Sequence, residues 1–198
     1  MGHEIPPEQT VPGTLKSGNK IGNPWHDALN GEFTSGPNAA RSASSTPAAK
    51  SSANLNLDQV TKLVADNNLS GLPDEMIVAL IYKEDQSLNP SQTVKASSAT
   101  GLMQVTKTAL KELARVEDPS WLNVDRTDPA QNIRAGTLYA RVLMDRFGSV
   151  SVALNRYGDG PGYSKVIIAA GTALKDNARL PPGMRKTPAE VLKKVFGR

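Results

Sequence analysis

Residues 72–90, LPDEMIVALIYKEDQSLNP, hold the longest apolar run of this chain and end it on two adjacent carboxylates, Glu84 and Asp85. Pro73 and the acidic residues behind it are suited to a first helical turn, where proline loses no hydrogen bond and negative charge meets the positive end of the helix. At about 100° per residue, Ile77, Leu80 and Ile81 share one face. Glu84 falls near the centre of that face and Asp85 roughly a quarter turn away. The pattern predicts a helix that aims Glu84 inward at its last turn and leaves Asp85 nearer to solvent. A carboxylate at the rim of an apolar patch has its pKa raised by desolvation, which suits a general acid. The alternative at this point is a solvated helix end.

Composition limits the chemistry. The chain of 198 residues contains no cysteine, and its two histidines, His3 and His26, both lie in the Gly/Pro/Ser-rich front. Disulfides, thiolate metal sites and cysteine nucleophiles are excluded. A His-based triad or zinc site in the folded part is not expected, and no cofactor or metal is implied. Proton transfers would fall to carboxylates, Lys or Tyr. The net charge of +4 and pI near 9.3 favour an anionic partner. The basic residues form no run and there are only three Phe, so nucleic acid is not the expected one. No stretch is long and apolar enough to span a membrane, and the first residues, MGHEIPPEQTVPG, lack the pattern of a secretory signal peptide.

Residues 1–54 read as a disordered tail, because a segment such as SASSTPAAKSSAN (42–54) offers little apolar surface against its ordering entropy. NPWHDAL (24–30) is its one patch with an aromatic anchor. Residues 55–198 read as a single all-α domain of six to eight helices. LNLDQVTKLVADNN repeats apolar residues at Leu57, Val60, Leu63 and Val64. TKTALKELARV is a short helix. DPAQNIRAGTLYARVLMDRFG opens with Asp128 as N-cap and Pro129 at the first helical position, and closes on Gly148. Ser149 caps SVSVALNRYG, and Thr187 with Glu190 forms a capping box before a last helix. GYSKVIIAAG fits helix or strand, since its β-branched run is ambiguous.

Three motifs in order carry a resemblance. ALIYKE (79–84) is followed by LNP (88–90), then a Ser/Ala loop leads to Gly101-Leu102-Met103-Gln104, and VALNRYGDGPGY (152–163) comes later. Together with the long Asn132-Ile133 helix segment, this resembles the soluble-type lytic transglycosylase domain, related to goose-type lysozyme, over about residues 70–170. The family pattern has Glu-Ser at the end of the helix and Tyr-Asn-x-Gly-Pro-Gly along the cleft. Here Asp85 replaces the Ser and Gly158 the Asn. Counting back from Asn89-Pro90 would put the acid at Asp85, whereas the helix register puts it at Glu84. An insertion is tolerated more easily in a loop than in a buried helix, so Glu84 is assigned, with Gln86 or a neighbour as the inserted residue.

The resemblance implies a lysozyme-like fold with a substrate cleft, and an enzyme that cleaves the β-1,4 bond between N-acetylmuramic acid and N-acetylglucosamine in peptidoglycan, leaving a 1,6-anhydro end. Glu84 would act as acid and then as base. Met103 and Gln104 would line sugar subsites, Tyr157 would place its hydroxyl near Glu84, and Ser97, Ser98 and Asp159 would touch substrate. Two alternatives stand beside it: a hydrolytic muramidase on the same fold, with Asp85 or Asp159 as base, and a non-catalytic peptidoglycan-binding or assembly protein. The expected partners are glycan strands, with a secretion-system component or an inhibitor or immunity protein engaging the tail. The expected location is the periplasm or cell wall, reached without a signal peptide through a specialised secretion system or as a phage protein.

Overall fold

The computed structural model describes residues 53–158 and 160–197. Nearly all of the expected tail, and the candidate residue Asp159, lie outside the described residues. The described part is all-α: α1 (Leu57–Asn67), α2 (Asp74–Glu84), α3 (Lys107–Val116), α4 (Pro129–Phe147), α5 (Val150–Tyr157), α6 (Tyr163–Arg179) and α7 (Pro188–Phe196). Short 3-10 turns cover Pro119–Asn123 and Pro182–Met184. A two-residue antiparallel pair, β1 (Thr93–Val94) with β2 (Ala99–Thr100), closes the loop after α2, Thr93 facing Thr100 and Val94 facing Ala99. Two residues per strand are too few to register as an alternating pattern.

α2 is the central element. Every residue from Met76 to Tyr82 is buried, as expected of a helix that is apolar on all sides. It packs between α1 and α6, and α6 also contacts α5 and α7. α4 packs on α1, α3 and α5. The ambiguous GYSKVIIAAG segment is helical: Tyr163, Ser164, Ile167, Ala170, Gly171 and Leu174 are buried at helical spacing, and that periodicity overrides the β-branched content. Gly171 lets the two axes approach closely, since a Cβ there would lie 2.9 Å from the Met76 Cα.

The helix ends follow their cap residues. The Asp128 carboxylate accepts from Gln131 N–H, Ser149 caps α5, and Thr187 and Glu190 form the reciprocal box of α7. Gly148 ends α4 in the left-handed conformation.

One expectation about α2 needs correction. Asp85 does not face solvent: it is 6% exposed, while Glu84 is only partly buried. The backbone leaves the helix at Asp85 (φ −142°, ψ 96°), so helical projection no longer applies to it. Its carboxylate turns into the following loop. There Oδ1 accepts from Ser87 N–H and Ser87 Oγ, and Oδ2 accepts from Asn89 N–H at 2.7 Å. That turn carries Leu88 at φ 51°.

The loop bearing Gly101–Gln104 is clamped to α4 by Asn132, which is fully buried and uses its whole amide. Asn132 Oδ1 accepts from Met103 N–H at 2.8 Å, and Nδ2 donates to the carbonyls of Thr100 at 2.8 Å and Arg126 at 2.9 Å. Gly101 has φ 79°, and a Cβ on it would lie 2.3 Å from Asn132 Nδ2. Replacing Asn132 with Ala would strand the Met103 N–H and the Arg126 carbonyl in the interior, while the Thr100 carbonyl keeps the Val105 N–H. We expect a loss of about 2–4 kcal/mol, read as a lowered midpoint in denaturant with an unchanged slope.

α3 and α4 are bridged on the surface by Glu112, whose carboxylate accepts from Arg115 and Arg146. The Arg115 hydrogen bond first, and that of Arg146 second, hold the Glu112 carboxyl down at about 2. A carboxyl depressed in the folded state adds stability above its unfolded value, and that stability is lost as pH falls through the folded value. Thermal melts between pH 6 and 2 should therefore show a steeper acid loss for the native chain than for Glu112→Gln; parallel curves would contradict this.

Candidate active site

Glu84 closes α2, so the packing that fixes Ile77, Leu80 and Ile81 also fixes where its side chain starts. Its carboxylate Oε1 accepts a hydrogen bond from the Tyr163 hydroxyl, donated from the first residue of α6. Tyr163 is 7% exposed and belongs to the core. Sequence reasoning missed this residue. It lies 79 positions from Glu84, inside the quoted GDGPGY segment, and its place depends on how the chain turns from α5 into α6. The available signal was its position at the start of a helix directly after the Gly-Pro-Gly turn.

Tyr157 ends α5. Its hydroxyl donates to the Met103 carbonyl at 2.9 Å, and so ties α5 to the 101–104 loop. Burial above all, then the nearby Glu84 carboxylate and Tyr139, push the Tyr157 phenol well above its ordinary value. Tyr157 is thus close enough to feel the charge of Glu84, remains neutral, and directs its proton to the loop. Tyr139 packs its ring against it, with centroids 5.9 Å apart, consistent with a structural role.

Met103 is fully buried. Its side chain packs where α4 is thinnest: a Cβ on Gly136 would lie 2.7 Å from the Met103 sulfur and 2.8 Å from the Tyr157 hydroxyl. The expected subsite lining by the Met103 side chain therefore gives way to core packing. Its backbone matters more, because the N–H goes to Asn132 and the carbonyl to Tyr157.

Gln104 is partly buried and adopts φ 48°. Its amide nitrogen donates to the Gly101 carbonyl at 2.7 Å. Its Oε1 is buried and has no hydrogen-bond partner among the described residues. An acceptor held in this way costs about 1–3 kcal/mol.

Ser97 and Ser98 serve their own loop. Ser97 Oγ accepts from Ala99 N–H, and Ser98 Oγ accepts from Lys107 N–H at the start of α3. The Arg126 guanidinium donates to the carbonyls of Ser98 and Val105 and draws the two sides of this loop together. The site thus has two parts. Glu84 and Tyr163 form a carboxylate–phenol pair, and Gln104 sits on a loop fastened by Asn132, Tyr157 and Arg126.

Compared with known proteins, residues 65–179 match the model of the Transglycosylase SLT domain. No solved structure matches. The match spans Glu84, the 101–104 loop, Asn132, Tyr157 and Tyr163, and it starts and ends within α1 and at the end of α6. Enzymes of this family are transglycosylases that act on peptidoglycan, a polymer of the periplasm and cell wall. Among the described residues no helix is long and apolar enough to cross a membrane. The match covers more than half of the sequence, and the chain belongs to the Transglycosylase SLT domain family.

Proposed function

We propose that this chain is a lytic transglycosylase that cleaves the β-1,4 bond between N-acetylmuramic acid and N-acetylglucosamine. Glu84 is its acid and then its base. In the first step the Glu84 carboxyl gives its proton to the glycosidic oxygen, the bond from that oxygen to muramoyl C1 breaks, and the N-acetylglucosamine 4-hydroxyl departs. In the second step the Glu84 carboxylate takes the proton of the muramoyl 6-hydroxyl, whose oxygen closes on C1. The product carries a 1,6-anhydro ring, Glu84 is protonated again, and no water is consumed.

The observation that carries this reading is the disposition of the two adjacent carboxylates. A cycle of this kind needs one carboxyl group, whereas inverting and retaining hydrolases use a pair. Glu84 stands at the end of the buried helix with its carboxylate on a phenol. Asp85 accepts three hydrogen bonds within its own turn and is engaged there. The Tyr163 hydroxyl orients the Glu84 carboxylate. Gln104 contributes the buried Oε1, an acceptor suited to an acetamido N–H of the sugar. The alternative base, Asp159, lies outside the described residues, as does the tail that would engage a secretion or immunity partner.

Mass analysis of soluble fragments released from purified peptidoglycan tests the proposal. The native chain is expected to release anhydro-ended muropeptides, and Glu84→Gln to lower the rate by about 10³-fold with an unchanged melting temperature. Reducing ends would establish a hydrolase in its place, and absence of release by the native chain would establish a binding or structural role.

Tyr163→Phe removes one hydrogen bond to a charged group, worth about 2 kcal/mol. It should lower kcat by roughly 30-fold while KM stays near its native value. A selective rise in KM would instead place the hydroxyl on the substrate.

A further inference from the structure

Gly158 is the C-cap of α5 and Gly162 the N-cap of α6, which Tyr163 opens. Gly158 has φ −103° and ψ −153°, so no left-handed φ calls for a glycine there. Space does. A Cβ on Gly158 would lie 2.2 Å from Tyr163 Cε2, 2.3 Å from Cδ2 and 2.4 Å from Cζ. The ring therefore occupies the volume that a side chain at 158 would fill.

The ring has little room to withdraw. Tyr163 N–H donates to the Gly160 carbonyl at 3.2 Å. The next residue is held to α5 twice: Ser164 N–H donates to Asn155 Oδ1 at 2.9 Å, and the hydroxyls of Ser164 and Ser151 lie 2.8 Å apart. At its far end the phenol is on Glu84. A methyl group at 158 would push a rigid ring whose backbone is anchored, and the free displacement is at the hydroxyl end.

We infer that Gly158 is a positioning residue for Glu84: its missing side chain is what allows the Tyr163 hydroxyl to reach the carboxylate. The effect on turnover rests on the proposed role of Glu84, but the contact itself does not.

Gly158→Ala, Tyr163→Ala and the double variant are compared on purified peptidoglycan. Because even a misplacement of about 1 Å is costly, Gly158→Ala should lower kcat toward the roughly 30-fold loss of Tyr163→Phe, with KM little changed. The double variant should be no slower than Tyr163→Ala alone, since the methyl then has nothing to displace. Gly183→Ala, where an added Cβ meets nothing within 4 Å, should match the native chain.

A second readout needs no turnover. With 13Cζ-labelled tyrosine, the Tyr163 resonance should move in Gly158→Ala toward its position in Glu84→Ala, where the hydroxyl has lost its acceptor. That shift in a chain that releases no fragments would reject the transglycosylase reading and keep the positioning role. Native kcat and an unmoved resonance in Gly158→Ala would overturn the inference, as would losses that multiply in the double variant. Should Gly158→Ala alone unfold, a double variant as stable as Tyr163→Ala supports the contact, and one that also unfolds overturns it.

Discussion

Burial of α2 on all sides is the constraint on which the rest of the structure depends. Seven consecutive residues of this helix, Met76 to Tyr82, lie inside the protein, and each large aliphatic among them contributes about 1.5–3 kcal/mol. Such a helix can neither rotate nor slide by one residue without moving apolar side chains out of their places. Its last residue, Glu84, therefore inherits a fixed position from hydrophobic packing, before any polar contact is made. Gly171 draws α6 against the same helix, and α6 begins with Tyr163, so the element that packs most closely on α2 also delivers the phenol to its carboxylate.

The second half of the site is fixed by hydrogen bonds rather than by apolar burial. The 101–104 loop has irregular backbone, with positive φ at Gly101 and Gln104, and its buried amides need partners from elsewhere. Asn132 and Tyr157 supply them, one from α4 and one from α5, while Gly136 gives Met103 the room to pack. The Asn132 amide, fully satisfied and fully buried, connects three backbone segments at once, which is the condition under which a polar group in a core adds order. Glu84 and Gln104 thus sit on separate supports, one apolar and one polar, and α5 and α6 join them through Tyr157 and Tyr163.

What could be read from the chain follows from what is local. Helix type, caps and the inward face of α2 depend on residues within four or five positions of one another, and Asp128, Ser149 and Thr187 cap where the pattern predicts. The place of Glu84 at the end of α2 was legible because it continues the helical register of Ile77, Leu80 and Ile81. Asp85 was misread one residue later because the backbone had already left the helix, so its burial is set by a turn and not by a face. Met103 was expected to line a subsite, and the closeness of Gly136 on α4 places it in the core. The start of a helix marked Tyr163, but its pairing with Glu84 was beyond reach, since the partner lies 79 residues back and the ring position is set by the missing side chain at Gly158. Sequence periodicity carries information about faces; contacts between the start of one helix and the end of another depend on the turns between them.

The most direct measurement is a crystal structure of the Glu84→Gln protein with a peptidoglycan glycan fragment spanning the scissile bond. The account predicts the side chain at position 84 within about 3 Å of the glycosidic oxygen, the Tyr163 hydroxyl still in contact with it, and the muramoyl 6-hydroxyl on the same side. A fragment seated with its glycosidic oxygen against another carboxylate, or bound away from the end of α2, would contradict it.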